Sequence, residues 1–250
     1  MSLANKVALI TGGSSGIGAS TAIVFAKELA TVAIVGRDQA RLQSVSQQCE
    51  AVGKKALCIQ ADITKDEETK EVIKKVIGAH GKLDILVNNA GISPHGRILK
   101  GNLLEVYDNV MDVNLRAVVH LTTLAARHLI ETKGNIINIS SITGSSLLRR
   151  PGLMAYGMSK AGLDHFTRGA ALELLNVGVR VNTVTPGLTR TSILAKYGIK
   201  TWEEVRISAG LKRICEPEEV ADLIAYLASD KAIGITGSNY VIDNGSLVKS

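Results

Sequence analysis

Tyr156 and Lys160 stand four residues apart in the stretch AYGMSKAGL, residues 155–163. On a helix this spacing puts both side chains on one face. A phenol beside an ammonium has two readings. The pair can lie at a surface, with the lysine stem laid along apolar neighbours. It can also be an acid with its activator, since free tyrosine titrates at about pH 10 and a nearby cation favours its phenolate. The choice depends on what else reaches the same place.

A second stretch also carries chemistry. Thr11-Gly12-Gly13-Ser14-Ser15-Gly16-Ile17-Gly18 follows the apolar run VALIT and leads into a helical pattern through Val24 and Phe25. A glycine-rich turn between a first strand and a helix lets backbone N–H groups approach a pyrophosphate at the helix N-terminus. The spacing is T-G-x-x-x-G-x-G rather than the usual G-x-G-x-x-G. An acid at the end of the second strand would hold the ribose 2′-hydroxyl of NAD. Here the sequence reads VAIVGRDQ, with Gly36 at the acid's place and Arg37 after it. Arg37 suits a 2′-phosphate as a bidentate donor, and Gly36 removes the carboxylate that would repel it. Asp38 reads as the cap of the next helix, QARLQSVSQQ. The expected cofactor is NADP(H) in preference to NAD(H).

The elements that would position these residues follow from hydrophobic pattern. Short β-branched runs occur at 7–11, 32–36, 56–60, 84–87, 135–140, 179–184 and 239–242. The segments between them are long enough for helices; Val72, Val76 and Ala79 form one apolar stripe, with Glu71, Lys74 and Lys75 on other faces. Strand–helix alternation implies right-handed βαβ units and a parallel sheet, hence an α/β fold. No linker or repeat interrupts the pattern, and residues 1–250 read as one domain. The segment 188–215 reads as an irregular insertion, in which Trp202 is either a structural anchor or part of a substrate lid.

Composition agrees. Aromatics are only 3% against a hydrophobic fraction of 46%, so Ala, Val, Ile and Leu must build the core, as parallel sheets covered on both faces require. The net charge of +6 is spread over scattered pairs such as Arg149-Arg150, which argues against nucleic acid. The three cysteines have no metal-ligand spacing, and no metal site is expected. No signal-peptide pattern or membrane-length apolar run appears, so the expected location is cytoplasmic.

Further motifs sit at strand ends: Ala61-Asp62-Ile63, Asn88-Asn89-Ala90-Gly91, Ser140-Ser141, and Pro186-Gly187-x-x-x-Thr191. In an open parallel sheet, ligands bind beyond the carboxyl ends of the strands, so all converge on one crevice. Taken with TGGSSGIG and Tyr156-x-x-x-Lys160, this order resembles the short-chain dehydrogenase/reductase family from about Lys6 to Gly245. The resemblance implies a Rossmann-type doubly wound seven-stranded sheet of order 3-2-1-4-5-6-7, with helices on both faces. It also implies a homotetramer or homodimer paired through helices at about 102–130 and 155–176. By the same resemblance Tyr156 is the catalytic acid/base, and Lys160 binds the nicotinamide ribose and lowers the tyrosine pKa. Ser141 hydrogen-bonds the substrate oxygen, and Asn114 holds a water in a proton relay. Gly12, Ser14, Ser15, Ile17, Arg37, Asp62, Ile63, Asn89, Gly91, Val113, Tyr156, Lys160, Pro186, Gly187 and Thr191 lie where such enzymes touch the cofactor.

Two departures stand out. Ser141 and Tyr156 are fifteen apart, about two more than usual in the family, which leaves Ser140 as an alternative to Ser141. Asp243-Asn244-Gly245 replaces the common Asp-Gly-Gly; asparagine tolerates positive φ, so the turn should survive. For substrate contact the sequence offers His95, Leu148, Met154, Tyr197 and Trp202. The expected activity is an NADP(H)-dependent interconversion of carbonyl and alcohol on a lipophilic, steroid- or terpenoid-like small molecule. A 3-oxoacyl-carrier-protein reductase is the alternative enzyme. A cofactor-binding regulator without turnover is the alternative of another class.

Overall fold

A computed structural model describes residues 2–146, 151–191 and 209–249. Seven parallel strands form one sheet in the order β3-β2-β1-β4-β5-β6-β7. In chain order they are β1 (Val7–Thr11), β2 (Thr31–Gly36), β3 (Leu57–Gln60), β4 (Ile85–Asn88), β5 (Asn135–Ile139), β6 (Arg180–Pro186) and β7 (Asn239–Ile242). The expected runs at 7–11 and 239–242 match to the residue, and the others shift by one or two at their ends. The order expected from the family resemblance is the order observed.

Successive strand residues face opposite layers, and the core divides accordingly. Ala8, Ile10, Ile34, Val87 and Ile137 pack with α1 (Gly16–Lys27), α2 (Gln39–Val52) and α7 (Pro217–Ala228). Leu9, Val35, Leu86 and Ile136 pack on the other face with α3 (Asp66–His80) and α5 (Ala117–Thr132). The α3 stripe differs from expectation: Thr69, Val72, Ile73 and Val76 are buried, while Ala79 is exposed. At 100° per residue Ile73 sits beside Val72 and Val76, whereas Ala79 lies in the last turn of the helix.

The helix expected at about 102–130 is one helical run with an interruption. It comprises α4 (Leu103–Met111), a π turn at Asp112–Arg116, and α5. Such a turn admits one extra residue and is common at functional sites. Arg116 anchors it from outside, bonding both Asp66 oxygens on α3 at 2.8 and 2.9 Å. The second long helix, α6, spans Met154–Leu174, and a short α8 (Ser246–Lys249) follows β7. Among the described residues no helix is long and apolar enough to cross a membrane.

The strand order reverses between β1 and β4, where crevices form in doubly wound sheets. All carboxyl ends open to that side.

Candidate active site

A crevice of about 1030 Å³ lies over the carboxyl ends of the strands. Its floor at the switch point is a strap between two loops. Thr11 Oγ1 accepts from Asn89 N at 3.0 Å and Ala90 N at 3.1 Å. Asn89 Nδ2 returns bonds to Thr11 O at 2.9 Å and Gly12 O at 3.3 Å. This close approach requires glycine. A Cβ on Gly18 would lie 2.4 Å from both Asn89 Nδ2 and Gly12 O, and Gly12 itself adopts φ +64°.

The glycine loop delivers the N-terminus of α1 into the crevice. Ser15, the N-cap, makes no side-chain cap bond, and the first turn holds no acid. The leading N–H groups of α1 are therefore not capped by a side chain, and no carboxylate competes for them, which fits a bound pyrophosphate. Past β2, Gly36, Arg37, Asp38 and Arg41 line the same crevice. Asp38 caps α2 as expected, accepting from Arg41 N at 3.1 Å. Its other oxygen pairs with Arg41 Nε at 3.2 Å. Arg41 is a second cation beside Arg37, one helical turn further on. Opposite, Asp62 forms a turn with Thr64, accepting from its N–H at 3.0 Å and its hydroxyl at 2.8 Å. Desolvation pulls the Asp62 carboxyl upward, but these bonds, with Arg37 and Lys65, hold it below the usual carboxylate range.

On α6, Lys160 Nζ sits 5.7 Å from the Tyr156 ring centroid. The ammonium is buried and donates to Ile139 O, at the end of β5, at 2.7 Å. Burial lowers Lys160 to about 8, while Asp164 pulls it upward. Tyr156 is half-buried and lines the crevice. Thus α6 presents the pair inward, toward β5, rather than as a surface pair.

The two serines after β5 separate. Ser140 is buried, and its hydroxyl donates to Lys160 O at 3.3 Å. Ser141 caps the short turn Ile142–Gly144, where its Oγ accepts from Thr143 Oγ1 at 2.9 Å. The Ser141 hydrogen thereby remains available to donate toward the crevice. The π turn brings Asn114 inward. Its Oδ1 accepts from Ile92 N at 2.8 Å, and its Nδ2 donates to Ile92 O at 2.9 Å and Ser159 Oγ at 3.1 Å. Gly91 leaves room beside it: a Cβ there would stand 3.3 Å from Asn114 Oδ1 and 3.7 Å from Lys160 Nζ.

At the end of β6 and just past it, Pro186, Gly187 and Thr191 line the crevice. The Asp243 turn survives its asparagine: Asn244 takes φ 52° and Gly245 φ 74°. Asp243 Oδ1 accepts from Gly245 N at 2.8 Å. All the cofactor-contact residues expected from the sequence, together with Ser141, line this one crevice. His95 lines its mouth, but Met154 is exposed at the start of α6 and does not; Leu153 does instead. Helix rotation explains this, because Leu153 precedes the first turn and faces inward. Leu148, Tyr197 and Trp202 lie outside the described residues, as does most of the expected insertion. Sequence reasoning named Thr11 only as part of the glycine motif, without its strap to Asn89, and missed Arg41, Thr143, Ser159 and Arg213. Only Arg41 carried a visible signal, its i+4 spacing from Arg37.

A family model described as enoyl-(acyl carrier protein) reductase matches residues 12–246. A 3-oxoacyl-[acyl-carrier-protein] reductase of Thermotoga maritima is 36% identical, over 99% of this chain and all of that one. Among solved structures, a short-chain type dehydrogenase/reductase from Mycobacterium marinum is similar with a TM-score of 0.90 and 36% identity, covering 98% of this chain and 96% of that one. A short chain dehydrogenase from Burkholderia cenocepacia, solved in complex with NADP, has a TM-score of 0.88 and 34% identity, covering 99% and 100%.

Proposed function

Because the chain belongs to the short-chain dehydrogenase/reductase family of oxidoreductases, we propose that it interconverts a carbonyl and its alcohol with NADP(H), residues 1–250 acting as one catalytic domain. One observation carries this reading. Tyr156, Lys160 and Ser141 open onto the crevice that holds the glycine loop and Arg37. The nicotinamide cofactor, when bound along Gly12, Ser15, Asn89 and Gly187, supplies or accepts the hydride.

In the reductive direction the carbonyl oxygen gains negative charge. Ser141 donates a hydrogen bond to that oxygen while its own lone pair is occupied by Thr143. Tyr156 gives the oxygen its proton, and the Lys160 ammonium stabilises the phenolate left behind. Asn114 is buried and does not itself line the crevice, but it stands with Lys160 beside Gly91, where a water would pass the next proton inward. Arg37, with Arg41 beside it, would hold a 2′-phosphate and so favour NADP(H) over NAD(H).

The crevice lining includes Ile92, Ile142, Pro151, Leu153 and Leu188. This apolar lining suits a lipophilic ketone or aldehyde, steroid- or terpenoid-like. The name of the Thermotoga relative favours a second reading, reduction of a 3-oxoacyl chain on an acidic carrier protein. Exposed Leu104 on α4 and Met158 and Leu172 on α6 support pairing of copies through these helices in a cytoplasmic homotetramer or homodimer.

The test is NADPH oxidation over a panel of lipophilic ketones and a carrier-bound 3-oxoacyl substrate, with NADH in parallel. Strong loss of turnover with rising salt on the carrier substrate alone selects the second reading. Tyr156→Phe should lower turnover by about 10²–10⁴-fold while NADPH binding persists. Normal turnover in that variant refutes the mechanism, and NADPH binding without turnover on any substrate leaves a cofactor-binding regulator.

A further inference from the structure

We propose that Asp164 is a positioning residue for the active site: a buried counter-ion that keeps Lys160 charged and ties α6 to the turn bearing Ser141. The inference rests on the role assigned above to Lys160. It starts from a carboxylate that the proposed chemistry does not touch. Asp164 lies one helical turn beyond Lys160 on α6, and both are buried. Its Oδ1 is buried and has no hydrogen-bond partner among the described residues. A buried, half-satisfied carboxylate is costly unless a charge nearby compensates it.

Its surroundings place that compensation in the catalytic constellation. Ser140, whose hydroxyl donates to Lys160 O at 3.3 Å, stands close enough to the Asp164 carboxyl to favour its charged form. The other oxygen, Oδ2, sits 3.3 Å from where a Cβ on Gly144 would be. That same Cβ would lie 3.1 Å from Ala161 N and from the Lys160 carbonyl carbon, so the 142–144 turn rests directly on α6 at this level. Asp164 is thus wedged between the helix carrying Lys160 and the turn capped by Ser141.

The charges around the pair are few. Asp164 is the charged group acting on Lys160, and Lys160 and Arg168 are the charged groups acting on Asp164. Arg168 is exposed and turned to His165 Nδ1 at 3.4 Å, whereas Lys160 is buried one helical turn before Asp164 on the same helix. Burial raises the Asp164 carboxyl, and Ser140, Lys160 and Arg168 oppose it. For Lys160 the sign is clear. Burial brings it to about 8, and loss of the opposing negative charge would carry it lower still.

The experiment pairs turnover with a direct readout of the lysine. Asp164→Asn keeps shape and removes charge; Asp164→Glu restores the charge. In the asparagine variant the alkaline limb of the kcat profile should move down by about one pH unit. Loss of charged Lys160 on that limb should lower turnover at pH 8 about fivefold. Asp164→Glu should recover most of it, with KM for NADPH changed less than kcat. NMR of isotope-labelled lysine, with Lys160→Arg assigning the signal, should show the same downward move in Lys160 titration. In the unaltered protein that signal should carry a second inflection below neutral pH, reporting Asp164. An unmoved Lys160 titration in Asp164→Asn, or the absence of that inflection, overturns the inference. If the protein reduces no carbonyl at all, the proposed function fails while the NMR titration still decides this point.

Discussion

Replacing Arg37 by alanine tests the proposed basis of cofactor choice. Arg37 lines the crevice at the end of β2 and is exposed, so a bond to phosphate there works in high dielectric. A charge-assisted hydrogen bond contributes about 1.5–3 kcal/mol, and exposure places Arg37 at the low end, about 1–2 kcal/mol. That corresponds to about a 5- to 30-fold rise in KM for NADPH. NADH lacks the 2′-phosphate, so its constants should hold within about twofold. The contact is remote from the reacting carbon, so kcat with NADPH should hardly move, as for uniform binding. Arg41 limits the effect. It stands beside Arg37 but pairs with Asp38 at 3.2 Å, so it compensates only in part. Removing both arginines leaves Asp38 facing the phosphate, and the double variant should lose more than the sum of the singles. Initial rates with each cofactor at fixed ionic strength measure all of this. An unchanged NADPH-to-NADH ratio in Arg37→Ala, or a preference of the unaltered protein for NADH, would refute the argument.

Four further outcomes follow from the local surroundings of named residues. Gly18→Ala forces a methyl to 2.4 Å from Gly12 O, so it should cost about 1–3 kcal/mol and sharply weaken NADPH binding. Gly78→Ala on α3, with no atom within 4 Å, should be neutral or gain about 0.5–1 kcal/mol; calorimetry with cofactor titration separates the two. Asn114→Ala strips the acceptor from Ile92 N and the donor to Ser159, which should cost about 1–3 kcal/mol and reduce kcat more than KM. Glu219 completes the capping box of α7 and pairs with Arg213, and that ion pair first, with the Glu216 N–H, holds it at about 2. Its folded pKa is depressed, so its stabilisation is full above its ordinary value of 4.5 and is lost as pH falls toward about 2. Glu219→Ala should lower Tm by about 2–4 °C at neutral pH, and a gap that persists undiminished at the acid end would contradict the assignment.

Much of the architecture was legible in local pattern. The β-branched runs mark strands because fully buried parallel strands need continuous apolar sequence, and VALIT and NYVI matched to the residue. Asp38 as a cap and Asn244 at positive φ were readable because both effects act within a few residues of chain. The candidate site was readable as a set of motifs, since each strand end contributes its own short signature. The helix at 102–130 was readable in extent but not in its π turn, because a one-residue insertion of hydrogen-bond register leaves no mark on a sequence that stays helical on both sides.

What the sequence determined alone was therefore the list of parts and their order: strands, glycine loop, Tyr156 with Lys160, and the missing acid before Arg37. Tertiary structure decided which parts face one another. Ser140 and Ser141 are neighbours of one type, yet one bonds Lys160 O and the other caps a turn. Adjacent residues at a strand end point to opposite sides, so only the packing of α6 against β6 and the Ile142–Gly144 turn could separate them. The Thr11–Asn89 strap, the inward turn of Asn114 and the burial of Asp164 beside Lys160 likewise join residues from different elements. Their partners are set by sheet register and helix docking, which no local spacing encodes.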